Sequence, residues 1–223
     1  MKHSYTLGQI RSVLYAAVVC DALDQVGCAR QSPRVPLSPV ASLSDSPSGL
    51  LVGRCKTTLW ADMVHVDPRP YELELQAVDG CRADDVLIAA AGGSMRSGIW
   101  GELLTTAAQN RGCVGAIIDG AVRDVDKIAA MRFPVYARGM CLYDSLNRQR
   151  VIDVDVPVEI DGVVFSPGDL VVADRDGVVV VPQAVEADVL RLAFAKVTGE
   201  NKVRDAIREG MTAVDAYKTF GVL

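Results

Sequence analysis

The sequence predicts an α/β protein in which buried strands alternate with helices. Two short apolar runs, VLIAAA at residues 86–91 and VGAII at 114–118, have the length and continuity of strands covered on both faces. Each run is followed by a loop and then by a helical pattern, at residues 102–110 and 125–131. The last third becomes β-rich, with Asp-Gly and Pro-Gly turns that are typical of hairpins or a meander.

The other elements follow from periodicity and turn residues. Residues 6–26 predict one amphipathic helix that Gly27 ends, and the proline-rich residues 30–49 predict irregular chain with extended pieces. Three apolar residues of that stretch are expected to lie on the core: Leu37, Val40 and Leu43. We also expect helices at residues 71–78 and 184–208, an apolar tail at 212–223, and strands at 50–58, 134–137, 151–158, 162–164, 170–174 and 178–181.

Composition limits the classes of function. The 223 residues suffice for one large domain or two small ones, and half of them are hydrophobic, as in ordinary globular proteins. A net charge of −5 argues against nucleic-acid binding, and no apolar run approaches the ~20 residues that a membrane span needs. The N-terminus lacks the apolar stretch of a signal peptide, and the six cysteines form no CxxC pair. We therefore expect buried or partly buried free thiols in a cytoplasmic protein whose partners are small molecules or proteins.

The stretch at residues 92–124 carries the predicted chemistry. It contains a Gly92-Gly93 loop, a second loop over residues 98–104, and a third that ends in Arg123 and Asp124. Because loops at strand ends often carry function in α/β proteins, the three loops are expected to form one pocket. The glycine loops, Gly101 included, offer backbone N–H groups to an anion.

Metal binding is constrained by the residues that are scarce. The chain has only two histidines, which argues against a zinc site and favours a hard ion, Mg²⁺ or Mn²⁺, held by Asp124 and Glu102. The neighbouring Arg123 is suited to grip a substrate carboxylate with its planar guanidinium. The simpler alternative is that Arg123 and Asp124 form an exposed turn.

Other chemistries receive little support. No Gly-Lys-Ser/Thr follows the glycine loops, and no histidine lies near Ser94 or Ser97 to complete a catalytic triad. Trp100 is expected in the core or at a subunit contact. Glu200 lies in a charged part of the last long helix, where a solvated helix face is the simpler interpretation.

The spacing of these residues resembles a known family, which contains the 4-hydroxy-4-methyl-2-oxoglutarate aldolases and the regulator of ribonuclease E activity A. Its hallmark is an acidic residue, twenty further residues and then Arg-Asp, matched here by Glu102, Arg123 and Asp124. The aldolases carry Asp where this chain has Glu102. Matching segments cover nearly the whole chain: DAL at 21–23, GRCKT at 53–57, WGELL at 100–104, DGAVRD at 119–124, PGDLVVADRDGVVVVP at 167–182 and YKTFGVL at 217–223.

The resemblance implies a fold and an assembly. It implies a single α/β domain over residues 1–223, an α-β-β-α sandwich resembling the swivelling phosphohistidine domain. It also implies trimers or paired trimers, in which the C-terminal helix at about 184–208 and the tail pack at a subunit interface.

The resemblance further implies an activity, that of a class II aldolase, which depends on a divalent metal and forms no Schiff base. Such an enzyme cleaves a 4-hydroxy-2-oxo acid to pyruvate and a second carbonyl compound, and decarboxylates oxaloacetate as a side reaction. The alternative is a non-catalytic regulator that binds ribonuclease E. The implied roles are carboxylate binding by Arg123 with the N–H groups of Leu103 and Leu104, metal binding by Asp124, water holding and proton transfer by Glu102, and a contribution of Glu200 to a neighbouring subunit's site.

Overall fold

A computed structural model describes residues 5–40 and 50–221. The helices are α1 (Leu7–Val13), α2 (Ala16–Gln25), α3 (Glu72–Asp79), α4 (Glu102–Asn110), α5 (Val125–Ala130), α6 (Glu186–Arg208) and α7 (Ala213–Phe220). The strands are β1 (Ser38–Pro39), β2 (Leu51–Asp62), β3 (Asp85–Ala90), β4 (Gly98–Trp100), β5 (Gly115–Val122), β6 (Val135–Met140), β7 (Gln149–Val154), β8 (Val158–Ile160), β9 (Val163–Phe165), β10 (Leu170–Asp174) and β11 (Gly177–Val181).

Nine of these strands form one mixed sheet in the order β1-β6-β5-β3-β2-β10-β11, with β4 added to β5 and β7 to β2. The central pairs β2–β3, β3–β5 and β5–β6 are parallel, as the buried apolar runs predict. The pairs β2–β10 and β10–β11 are antiparallel, so the β-rich last third does form hairpins. The predicted α/β class is confirmed.

The two faces of this sheet bury different clusters. On the inner face, residues from both ends of the sheet pack together with the separate β8–β9 hairpin, so that the sheet curves until it is nearly closed. Representative members are Ile88, Ile117, Tyr136, Phe165, Val171 and Val180. On the outer face, α3, α4 and α5 cover one end of the sheet while α1, α2 and α6 cover the other. The predicted likeness to the swivelling phosphohistidine domain stays a prediction.

The structure corrects the predicted N-terminal helix, which is broken at Leu14 and Tyr15. Both residues are extended, with ψ angles of 160° and 162°. The carboxylate of Asp174 accepts a hydrogen bond from the backbone N–H of Ala16 at 2.8 Å, which supplies an acceptor for the first turn of a new helix. A contact with a residue so distant in sequence is invisible to helical periodicity. Gly27 ends α2 as predicted, with φ of 76°.

Two further differences concern the central stretch. Residues 98–100, predicted as loop, form the short strand β4, and β5 continues to Val122 rather than ending at residue 118. An irregularity in the β5–β6 register between Ile118 and Ala121 allows β5 to continue through the Asp-Gly pair. Leu37 is buried and Val40 packs on the core, whereas Leu43 lies outside the described residues.

The tail and the cysteines agree with expectation. The predicted C-terminal helix and apolar tail are α6 and α7, and the six cysteines are free thiols, three buried and three partly buried. Within residues 5–40 and 50–221, no helix combines the length and the apolar character that a bilayer span requires.

Replacement of Gly53 by alanine tests how tightly β2 and β3 pack. A Cβ at this position would lie 2.7 Å from Val86 Cγ2 and closer still to the Asp84 carbonyl oxygen, so the strands must move apart. We expect Gly53→Ala to lower the free energy of unfolding by about 1–3 kcal/mol in urea denaturation. Gly8→Ala is the control: Gly8 is exposed on α1, the nearest atom to its added Cβ would lie at 3.8 Å, and the change should be neutral or slightly stabilising. An unchanged unfolding midpoint for Gly53→Ala would contradict this packing.

Candidate active site

A cavity of about 270 Å³ opens where α3, β4, α4, the end of β5 and the loop after β6 converge. Two of the three predicted loops meet there. The lining residues are Tyr71, Glu74, Leu75, Gly98, Ile99, Gly101, Leu103, Leu104, Arg123, Asp124, Asp144 and Ser145.

The backbone of β4 runs against the end of β5 without room for side chains. The N–H of Arg123 donates to the Trp100 carbonyl at 2.9 Å. A Cβ on Gly98 would lie 3.0 Å from Arg123 Cβ, and one on Gly101 would lie 2.8 Å from Asp124 Oδ2. The two glycines therefore allow the Arg-Asp pair to reach the cavity wall.

Arg123 is held between two carboxylates. Its Nη2 lies 2.6 Å from Asp144 Oδ2, and its Nε lies 3.9 Å from Asp124 Oδ2. Asp144 also accepts hydrogen bonds from the Tyr71 hydroxyl at 2.6 Å and the Leu146 N–H at 2.7 Å. Burial opposes ionisation of Asp144, but the Tyr71 and Leu146 hydrogen bonds and the Arg123 charge outweigh it, so the pKa of Asp144 lies below its usual value. The guanidinium is thus oriented by a firmly ionised partner.

Asp124 adopts a left-handed backbone conformation, with φ of 55° and ψ of 34°, and begins α5. Aspartate tolerates this region better than most residues because its short side chain interacts locally with backbone groups. The side chain makes no capping bond to α5. Its Oδ2 instead accepts from the N–H of Glu102 at 3.3 Å, which ties the end of β5 to the start of α4.

The first turn of α4 faces the same cavity. Gly101 is its extended N-cap, and Leu103 and Leu104 line the wall. The first N–H groups of a helix have no acceptor within the helix, and they present partial positive charge to an anion. Glu102 is partly exposed in this turn, and its Oε1 accepts from the Thr106 hydroxyl at 3.4 Å. The predicted anion cradle is therefore compatible with this geometry.

Glu74 is a buried carboxyl group that α3 contributes to the cavity wall. It is 8% exposed and accepts a hydrogen bond from the Ser145 hydroxyl at 3.4 Å. Burial, and then the charge of Asp144, raise the pKa of Glu74 to about 7. A carboxyl group that titrates near neutrality can hold or release a proton under working conditions.

Sequence reasoning missed Tyr71, Glu74, Asp144 and Ser145. Tyr71 and Glu74 belong to the short predicted helix at residues 71–78, which carried no chemical hypothesis. Asp144 and Ser145 follow β6, at the same edge of the parallel sheet as Arg123. The rule that strand-end loops carry function gave a signal for the second pair, whereas no local signal marked the first.

Three predicted features lie elsewhere in the described chain. The Gly92-Gly93 loop is outside the cavity lining, where the Gly93 N–H binds Asp119 and Arg138 pairs with that carboxylate at 2.5 Å. Trp100 is 2% exposed in the core, as expected. Glu200 on α6 accepts a short hydrogen bond from the Tyr15 hydroxyl and lies 3.9 Å from the Lys196 ammonium, away from the cavity lining. A contribution of Glu200 to a neighbouring subunit stays a prediction.

The donor set fits a sparsely coordinated hard cation. Among residues 5–40 and 50–221 no three His, Cys, Asp or Glu side chains group as a metal cage. Mg²⁺, however, is commonly held by one or two carboxylates, with waters and substrate oxygens completing its shell. Asp124 is one such carboxylate and lines the cavity with its side chain 39% exposed, whereas Glu102 meets Asp124 through a backbone N–H and is not among the lining residues.

Comparison with known proteins gives the family. The matching family model is RraA-like, described as Aldolase/RraA, and it covers residues 16–180, well over half of the 223 residues. The chain belongs to the RraA-like family. The resemblance inferred from the hallmark spacing is therefore confirmed.

Relatives within this family point in two directions. A Halalkalibacterium halodurans protein named "Putative 4-hydroxy-4-methyl-2-oxoglutarate aldolase" is 33% identical over 143 residues, which cover 64% of this chain and 68% of that protein. In another curated relative, the residues that match this chain make up only 23% of that protein's length. The crystal structure of an uncharacterised protein from Pseudomonas syringae aligns with 99% of this chain over 97% of its own chain, with 28% identity and a TM-score of 0.84. Streptomyces coelicolor RraAS2, described as an unusual member of the RNase ES inhibitor RraA family, aligns over 91% and 98% with 26% identity and a TM-score of 0.76.

The raised pKa of Glu74 makes stability depend on pH. Because its folded pKa of about 7 exceeds the ordinary value of 4.5, the folded state favours the protonated form. Its contribution is fully present below pH 4.5 and is lost as pH rises through 7. Glu74→Gln should therefore gain stability relative to the unchanged protein across this window, by on the order of 3 kcal/mol.

Urea denaturation at several pH values measures this difference. Glu72→Gln is the matched control, since it removes the same charge from the same helix at a position outside the cavity lining. Between about pH 5 and 7, where the Glu74→Gln difference grows, its own stability difference from the unchanged protein should change much less, because Glu72 forms a surface ion pair with Arg69. A flat difference for Glu74→Gln as well would show that Glu74 titrates normally.

Proposed function

We propose that the protein is a class II, divalent-metal-dependent aldolase that cleaves a 4-hydroxy-2-oxo acid, such as 4-hydroxy-4-methyl-2-oxoglutarate, to pyruvate and a second carbonyl compound. The observation that carries the proposal is the meeting of Arg123, Asp124 and the first turn of α4 in one cavity. The name of the 33% identical relative supports the same reaction class.

Substrate binding is assigned to Arg123 and α4. The guanidinium of Arg123 binds the carboxylate of the 2-oxo acid, in exchange for part of its contact with Asp144. The N–H groups of Leu103 and Leu104 bind the same anionic end. These contacts fix the C3–C4 bond of the substrate in one orientation.

Bond cleavage requires a base, a sink for electrons and a proton donor. Asp124 would hold Mg²⁺ or Mn²⁺, which when bound supplies Lewis-acid stabilisation of the negative charge that develops on the 2-oxo oxygen. Glu102 is assigned as the base that accepts the C4 hydroxyl proton, directly or through a water. The C3–C4 electron pair then forms the enolate as C4 becomes a carbonyl, and a proton added at C3 gives pyruvate. Loss of CO₂ from oxaloacetate generates the same enolate, so decarboxylase activity is expected from the same site.

An oligomer with shared sites is part of the proposal. Exposed apolar side chains on α7 support packing of the C-terminal helices against another subunit in a trimer or hexamer. Val214, Tyr217 and Phe220 are 62%, 55% and 37% exposed. Glu200 would then act in the site of a neighbouring subunit.

The second candidate function is a non-catalytic regulator that binds a ribonuclease. It is favoured by the similarity to Streptomyces coelicolor RraAS2 at 26% identity. The complete set of Glu102, Arg123 and Asp124 in one place favours the aldolase. Capture of ribonuclease E by the purified protein, together with no activity on any oxo acid, would reverse the order.

Metal dependence is tested by chelation and by replacing Asp124. EDTA and Asp124→Asn should each lower pyruvate release from 4-hydroxy-4-methyl-2-oxoglutarate and from oxaloacetate by at least about a hundredfold. The reason is that each removes the metal ion that would act as the Lewis acid. A coupled lactate dehydrogenase assay measures the rate. Asp126→Asn, an exposed carboxylate of α5 outside the cavity lining, should keep full activity. Metal-independent turnover would refute the mechanism.

The role of Arg123 is tested by Arg123→Lys, which keeps the charge and loses the planar fork. We expect kcat/KM to fall by about 10- to 100-fold, mainly through KM, because a charge-assisted pair of hydrogen bonds to the substrate carboxylate is lost. Steady-state kinetics separate the two constants. Arg111→Lys, at an exposed position of the chain, serves as the control. A fall in kcat alone would place Arg123 in the chemical step rather than in binding.

A further inference from the structure

Two of the three buried cysteines lie together in one apolar cluster. Cys81 and Cys113 are 6% and 4% exposed, and both belong to the cluster that α3, α4 and α5 cover on the outer face of the sheet. Their thiols form a hydrogen bond with each other. The third buried cysteine, Cys55, packs in the cluster on the inner face. The fold thus brings two sulfur atoms from distant parts of the chain into direct contact.

Each cysteine of this pair follows the end of a helix. The N–H of Cys81 donates to the Val78 carbonyl in the last turn of α3, and the N–H of Cys113 donates to the Ala108 carbonyl in the last turn of α4, both at 3.1 Å. The beginnings of the same two helices line the cavity. A covalent bond between the two sulfur atoms would therefore join α3 to α4 at the ends remote from the cavity.

Backbone contacts hold the two segments together. The N–H of Asp84 donates to the Gly112 carbonyl at 2.9 Å, and the N–H of Val114 donates to the Asp85 carbonyl at 2.8 Å. Gly112 has φ of 88°, and a Cβ at this position would lie 2.9 Å from the Cα of Ala83. The main chain, and not only the side-chain packing, therefore keeps the two thiols close.

The hydrogen bond makes the two thiols chemically unequal. It is the largest of the effects that lower the pKa of Cys113, and the largest of those that raise the pKa of Cys81. Because the thiolate is the reactive form of cysteine, Cys113 is the better nucleophile of the two. At Cys55, by contrast, burial raises the pKa of the thiol well above its usual value, which makes that thiol unreactive.

The pair is buried close to the surface. Three residues next to or near the cysteines in the chain are exposed: Gly80, Arg82 and Arg111. An oxidant as small as hydrogen peroxide therefore has a short path to the sulfur atoms.

We propose that Cys81 and Cys113 are a redox-active dithiol, which hydrogen peroxide converts to an intramolecular disulfide that links α3 to α4. The Cys113 thiolate attacks one oxygen of the peroxide, so that an S–O bond forms, the O–O bond breaks and hydroxide leaves. Cys81 then loses its proton and its sulfur attacks that of Cys113, so that the S–S bond forms and the S–O bond breaks. The released hydroxide ions take up the two thiol protons. Two thiols and one peroxide thus give one disulfide and two waters.

Peptide mapping of the unchanged protein tests the proposal. Trypsin places the two cysteines in separate peptides, 57–82 and 112–123. The folded protein is treated with hydrogen peroxide, unfolded, alkylated with iodoacetamide and digested. We expect mass spectrometry to find these two peptides joined, with the loss of two hydrogens, and to find them separate after reduction with dithiothreitol. Cys113 should be oxidised at least about tenfold faster than Cys55.

Variants assign the two steps of the reaction. Cys81→Ala should leave Cys113 as a sulfenic acid that dimedone traps, whereas Cys113→Ala should leave Cys81 reduced. Cys55→Ala is the matched control, since it also removes a buried thiol, and it should keep the linked peptides. If either variant of the pair does not fold, the peptide map of the unchanged protein decides.

Urea denaturation measures the effect of the link on the folded protein. The oxidised protein should unfold at a higher urea midpoint than the reduced protein, because the disulfide restricts the unfolded chain. Equal oxidation rates of Cys113 and Cys55, linked peptides only when peroxide is added after unfolding, or an unchanged midpoint of the oxidised protein would each overturn the proposal. None of these measurements depends on aldolase activity.

Discussion

The site depends on the close backbone contact between β4 and the end of β5. Gly98 and Gly101 leave no Cβ in a space where one would collide with Arg123 or Asp124, and the Trp100 carbonyl holds the Arg123 N–H. This contact aligns the start of α4 with the Arg-Asp pair, so a helix terminus, a guanidinium and a carboxylate share one wall. A side chain at either glycine would separate these three elements.

Much of the fold was predictable because its strongest signals are local. The buried runs that became β3 and β5 are continuous, and α4 was placed at its observed bounds by helical spacing alone. Of the three hallmark residues, Arg123 and Asp124 line one cavity, whereas Glu102 meets Asp124 only through its backbone N–H and is not among the lining residues. The agreement has a structural reason. The strands β4 and β5 are parallel and α4 connects them, so β5 ends at the same edge of the sheet at which β4 ends and α4 begins.

The errors share a different cause, which is interaction between residues far apart in the chain. Asp174, on a distant strand, binds the backbone where the N-terminal helix is broken. The pKa of Glu74 is raised because α3 packs against the loop that carries Asp144 and Ser145, which buries the carboxyl group near a second negative charge. Sequence shows a charged residue on a short helix, where a solvated face is the natural interpretation. Its burial, and hence its chemistry, is a property of the folded chain.

The left-handed conformation of Asp124 distinguishes the two acidic positions of the family hallmark. With φ of 55°, position 124 suits aspartate, asparagine or glycine, and a longer or branched side chain would be strained there. Glu102 occupies the ordinary first turn of α4, where either acidic residue is accommodated. The backbone conformation thus restricts the length of the acidic side chain at position 124, whereas position 102 accepts either aspartate or glutamate. Divergence within such a site is therefore expected to change the acidic residue at position 102 more readily than the one at position 124.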